Sequence, residues 1–112
     1  VHQVLKQNLH ASQQEDVDAY MATMHTQSLV WTPTKHQIEM VFDNFDLTYQ
    51  LDQFDFVAQD DEYAYAKIWM TKTKISGGQF KNNRVQALVV FKQENGAWKV
   101  WSQANMQIKY LD

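Results

Sequence analysis

A chain of 112 residues with 13% aromatics, a net charge of −3 and no cysteine suits one packed core and leaves no room for a second. The mild acidity lacks the basic footprint of a nucleic-acid binder. No apolar run approaches the ~20 residues of a membrane-spanning helix, and the missing thiols remove disulfides, thiolate catalysis and cysteine metal sites. A single domain over residues 1–112 is therefore expected. The sequence begins at Val1 rather than Met, which is compatible with a processed leader. A cytoplasmic location is the expectation, with a secreted or periplasmic one left open.

The first third reads as helix. Val1, Val4, Leu5 and Leu9 share one face at i, i+3, i+4 and i+8. "QQED" at 13–16 breaks this stripe, and Asp16 is placed to cap a second helix carrying Val17, Tyr20, Met21 and Met24. The apolar Leu29-Val30-Trp31 leads into "TPT". Pro33 suits a first helical turn, and Thr34 with Gln37 has the spacing of a capping box. A third helix follows with Ile38, Val41, Phe42 and Phe45 on one side.

From Leu47 the period falls to two. Strands are predicted over residues 47–59, 62–75, 83–93 and 97–110, joined at Asp60-Asp61, at "SGGQFKNN" and at Asn95-Gly96. The last is a strong two-residue hairpin signal because both residues tolerate positive φ. Short turns between consecutive strands give an antiparallel meander, and strands this long predict twist, curvature and bulges. The fold class expected is α+β, with three helices packed in the concave face of a curved meander.

"SQQEDVDAYMATM", "TKTKISGGQFKNNR" and above all "KQENGAWKVWS", in this order and spacing, resemble the nuclear transport factor 2-like superfamily, over nearly the whole chain. That group includes ketosteroid isomerases and polyketide cyclases. The resemblance implies a cone-shaped α+β fold open at one end, with the segment between the second and third helices shorter than in many members. It also implies pairing of two copies through the convex sheet.

Trp98 and Trp101 lie three residues apart on the last strand, so alternation sends them to opposite faces. The predicted inner positions are Trp98, Val100, Ser102, Ala104, Met106 and Ile108. Ala64, Ala66, Ile68 and Met70, and Val85, Ala87, Val89 and Phe91, are predicted inward on the two preceding strands. The outer face then collects Tyr65, Trp69, Leu88, Val90 and Trp101 within a polar rim that includes Gln103. An apolar centre inside a polar rim is how an interface is built, and a two-fold homodimer would cover it.

Chemistry is harder to find. His2, His10, His25 and His36 form no i,i+4 pair and no ligand set, so a surface or helix-end role is expected and no metal site. No serine sits in a nucleophile elbow, and the glycines of "SGGQF" precede no helix that could cradle a phosphate. No cofactor is expected. "KTK" at 72–74, with Lys81 and Arg84, reads as a solvated strand end. The isomerases of the superfamily imply a base and a polarising hydroxyl within the cone. Tyr20, Asp52 and Asp55 are the candidates for such roles, although a bulge near "DQFDF" could turn the aspartates outward. An apolar cone lined by Tyr20, Met24, Trp31, Met40, Tyr49, Met70 and Phe80 suits a small apolar or flat ligand. Three functions follow: a ligand-binding domain, an isomerase-, cyclase- or dehydratase-like enzyme, or a non-catalytic dimerisation or interaction module.

Overall fold

The stripe that starts at Val1 folds as α1 (His2–Gln13), burying Val4, Leu5 and Leu9. A computed structural model describes residues 1–111. In it α1 is followed by α2 (Val17–Ala22), α3 (Trp31–Asn44), β1 (Phe45–Gln59), β2 (Tyr63–Gly77), β3 (Asn83–Glu94) and β4 (Ala97–Tyr110). The strands form one antiparallel sheet in the order β1-β2-β3-β4, and its buried inner face shares one core with Val4 and Leu5 of α1, Met21 of α2 and Ile38 of α3. This is the α+β architecture expected from the sequence.

Local chemistry sets the breaks. Glu15 takes a positive φ of 54°, which ends the run of α1. Asp16 then caps α2, its carboxylate accepting the Ala19 N–H at 3.0 Å. Beyond α2 the chain is stitched to the edge of the sheet: Val100 N–H donates to the Thr23 carbonyl and His25 N–H to the Val100 carbonyl, at 2.8 and 2.9 Å. The start of α3 departs from expectation. It begins at Trp31 behind Val30, with no side-chain cap, so Pro33 lies in the first turn and Thr34 with Gln37 falls too late to form a capping box. Phe45, expected on the helix, is extended and opens β1.

One glycine is demanded by geometry. Gly77 adopts φ 116°, and a Cβ there would meet the Asn44 carbonyl oxygen at 2.4 Å. The end of β2 can therefore lie against the α3–β1 junction only without a side chain.

Register determines which residues face the concavity. β2 and β3 pair without interruption from Tyr63↔Lys92 to Lys72↔Asn83. Ala64, Ala66, Ile68, Met70, Val85, Ala87, Val89 and Phe91 are all buried as alternation predicts. On β4 the alternation resets. Val100 stands opposite Phe91 and Ser102 opposite Val90, which makes Trp101 the extra residue of a bulge. Directly opposed residues share a face. Gln103 and Asn105, opposite Val89 and Ala87, therefore turn inward, while Ser102 and Ala104 turn outward. Met106 is a second extra residue, after which Ile108 faces inward opposite Val85. The expected inward Ser102, Ala104 and Met106 and outward Gln103 are corrected accordingly. A bulge shifts every later side chain by one face.

Candidate functional site

Between the helices and the sheet lies a cavity of about 260 Å3. Its apolar wall includes Leu9 of α1, Ile38, Val41 and Phe42 of α3, Leu47 of β1, Met70 of β2 and Phe80 of the following loop. Asn8, Ser12, Tyr20, Gln37, Tyr49, Lys72 and Gln103 supply its polar groups. A more open groove of about 480 Å3 adjoins it and shares Tyr20, Gln37, Ile38 and Gln103 with it. Met24, Val30, Pro33 and Asn105 extend that groove along β4.

The polar groups are held by the fold. Asn8 donates its side-chain amide to the Thr23 hydroxyl at 2.9 Å, and that hydroxyl donates to the Tyr20 carbonyl at 2.6 Å. Ser12 donates back to the Asn8 carbonyl at 3.0 Å. Burial raises the pKa of the Tyr20 hydroxyl, offset in part by a hydrogen bond with Asn8, and the ring meets Phe42 edge-on at 6.5 Å. Tyr49 stands directly opposite Lys72 across the β1–β2 ladder. Its hydroxyl is pushed up to about 12 by burial, then by the neighbouring Tyr20 and Glu15. Burial pushes the Lys72 ammonium down, because a desolvated amine favours its neutral form. Among the described residues none pairs with that ammonium, and no acid lines the cavity.

Lys72 corrects the reading of "KTK" as a solvated strand end. The period that places Ala64, Ala66, Ile68 and Met70 inward continues one step further to Lys72, and the strand stays on register there. Gln103 carried no comparable signal, since only the bulge at Trp101 turns it in. The remaining lysines and the arginine of that stretch stay outside the cavity lining, Lys81 exposed and Lys74 and Arg84 half-buried. Lys74 donates to the Gly78 carbonyl at 2.9 Å, Lys81 lies over Tyr110 at 5.4 Å and Arg84 over Trp69 at 5.0 Å.

Of the residues expected to line the cone, Tyr20, Tyr49, Met70 and Phe80 surround the cavity, and Met24 lines the adjoining groove. Trp31 packs against the core at the amino end of α3, outside both linings. Met40 is half exposed, because it lies two residues from the buried Ile38 and so about 200° around the helix. Asp52 and Asp55 fall on the convex side. Leu51 opposes Met70 and Gln53 opposes Trp69, so Asp52 is the extra residue of a bulge; its carboxylate accepts the Thr71 hydroxyl and lies 3.4 Å from Arg84. Asp55 opposes the outward Lys67 and accepts the Gln53 amide at 2.6 Å. Of the three candidates, Tyr20 alone reaches the cavity.

On the convex face Tyr65, Trp69, Leu88, Val90 and Trp101 are half-buried. Trp69 lies between Arg84 and Lys109, each 5.0 Å from its ring, and Lys92 covers Trp101 at 4.5 Å. His25 departs from its expected surface position. Its ring is buried, stands edge-on to Trp101 at 5.0 Å, and accepts the Gln27 N–H at Nδ1 over 3.1 Å. The ring proton is thereby assigned to Nε2, which is 3.2 Å from the Gln93 carbonyl. This histidine fastens the segment after α2 to the sheet edge.

The family model described as "Anti-sigma-I factor RsgI9, C-terminal domain" matches residues 3–111. The anti-sigma-I factor RsgI9 of Acetivibrio thermocellus is 28% identical over 92 residues, which are 82% of this chain and 13% of that protein. The chain thus spans about an eighth of the length of this relative. Among solved structures, a putative aromatic ring hydroxylase from Novosphingobium aromaticivorans superposes with a TM-score of 0.80 at 12% identity, covering 98% of this chain and 90% of that one. An NTF2-like protein of unknown function from Pseudomonas putida gives a TM-score of 0.73 at 16% identity, covering 91% and 80%. At these identities the likeness shows the cone-shaped fold implied by the superfamily resemblance. Among the described residues no helix is long and apolar enough to cross a membrane.

Proposed function

Given that the chain belongs to the family of anti-sigma-I factor RsgI9 C-terminal domains, we propose that it is a binding module of such a regulatory protein, taking up a small, apolar or flat molecule in its concave cavity. Residues 1–112 act in this reading as one nuclear transport factor 2-like domain. The observation that carries the proposal is the cavity itself. Its wall combines aliphatic and aromatic side chains with the polar groups of Asn8, Ser12, Tyr20, Gln37, Tyr49, Lys72 and Gln103. A small-molecule site likewise joins an apolar wall to polar groups that fix orientation. At about 260 Å3 it lies below the ~300–1,000 Å3 of drug-sized pockets, so the ligand is small. Binding rather than isomerase-like turnover is favoured because Asp52 and Asp55 occupy the opposite face of the sheet from Tyr20.

Native mass spectrometry of the protein as purified, followed by titration with a neutral one-ring compound such as benzyl alcohol, tests this reading. One bound molecule per chain is expected, and Ile38→Trp, which fills the cavity, should abolish uptake without loss of folded structure. Uptake unaffected by Ile38→Trp would overturn the reading, as would no uptake by the parent protein.

A second reading concerns assembly. The half-buried cluster of Tyr65, Trp69, Leu88, Val90 and Trp101 on the convex face favours a homodimer, since pairing would remove these rings and aliphatic groups from water at about 25 cal/mol per Å2. The same mass spectra report it. A doubled mass that reverts to that of one chain in Leu88→Glu supports the pairing, and a monomeric parent protein rejects it.

A further inference from the structure

Resting on the cavity reading above, we propose that the cavity selects small monoanions with an apolar body, a one-ring or short branched carboxylate, through Lys72. The carboxylate would lie against the Lys72 ammonium, within the part of the cavity lined by the Tyr20 and Tyr49 hydroxyls. The apolar body would lie among Leu9, Ile38, Phe42 and Met70.

Charge balance carries the argument. Lys72 is brought inward by the unbroken β2–β3 register and faces Tyr49 directly across the neighbouring strand. An ammonium withdrawn from water is costly unless paired, and among the described residues no carboxylate pairs with this one. Glu15 and Asp46 line a separate groove at the α3–β1 junction and lie outside the cavity lining. A neutral guest would leave the ammonium unpaired, and a cationic guest would be repelled. An anion supplies the missing charge, and in a partly desolvated site a charge-assisted hydrogen bond is stronger than a neutral one. The size limit comes from the volume. A cavity of about 150 Å3 accommodates benzene, so about 260 Å3 admits one substituted ring.

Benzoate and its uncharged isostere benzamide are the probes, titrated into the 112-residue chain by calorimetry at neutral pH. Benzoate should bind at least tenfold more tightly than benzamide. Lys72→Met should remove that preference, whereas Lys72→Arg should keep part of it. Equal binding of the two probes overturns the anion proposal while leaving the cavity reading standing, and so does a benzoate preference that survives in Lys72→Met. Binding of neither probe overturns both. The ratio measured on the parent chain needs no variant, so a poorly folded Lys72→Met does not remove the test.

Discussion

Strands β2 and β4 have similar lengths and both pair with β3, yet only β2 keeps its register with β3 from end to end of the pairing. β2 is flanked on both sides, and its pairing with β3 runs unbroken through ten residue pairs. β4 is an edge strand, and its pairing with β3 shifts twice, at Trp101 and at Met106. A central strand is bound by two ladders, so an extra residue where both are paired would disrupt both neighbours. An edge strand can absorb one on its free side. The consequence reaches the site. Its cation, Lys72, comes from the strand that keeps register, and the amide of Gln103 comes from the one that resets.

The largest test of this contrast is energetic. Phe91→Ala, at a fully buried inner position of β3, should cost about 3–5 kcal/mol in denaturant unfolding. Ile108→Ala, inward but on the carboxyl half of β4 and 46% exposed, should cost less than about 1 kcal/mol, in the range of surface substitutions. Equal losses would mean that the end of β4 is as tightly held as the centre.

Gly77→Ala addresses the end of β2. Both the positive φ and the 2.4 Å approach to the Asn44 carbonyl oxygen oppose a side chain, so a loss of about 1–3 kcal/mol is expected. Thermal unfolding reads it, and an unchanged midpoint would show that the α3–β1 junction yields easily.

Tyr49 gives a pH signature. Its folded pKa, about 12, lies above the ~10 of a free tyrosine. Between these values the unfolded chain loses this proton first, so stability from this group is complete below about pH 10 and declines as pH rises toward 12. Tyr49→Phe should therefore show a shallower fall in stability over this interval than the parent protein. Parallel curves would place the Tyr49 hydroxyl in water.

The smallest effect on stability, and the sharpest on register, comes from thiol labelling. The chain has no cysteine, so Ser102→Cys and Gln103→Cys each introduce one reporter at the bulge. Saturating benzyl alcohol should slow alkylation at position 103 and leave position 102 unchanged. The reverse pattern would mean that Trp101 is not the extra residue.

Much of this protein was legible in its sequence. Helical periodicity at Val4, Leu5 and Leu9, the Asp16 cap, the Asn95-Gly96 turn and the alternation of β2 and β3 are local effects, written in neighbouring residues and realised without reference to distant ones. Lys72 was legible too, since the β2 period reaches it, although strand-end lysines usually suggest solvent. A bulge near "DQFDF" could be anticipated from the sequence, but its placement at Asp52 and the positions of Gln103 and His25 were decided by tertiary structure alone. Bulges in β1 and β4 arise from matching strands of unequal path across a curved sheet, and His25 is buried because the segment after α2 pairs with Val100, some 75 residues away. Neither cause leaves a periodic mark in the local sequence, because each depends on what the chain meets only after it has folded.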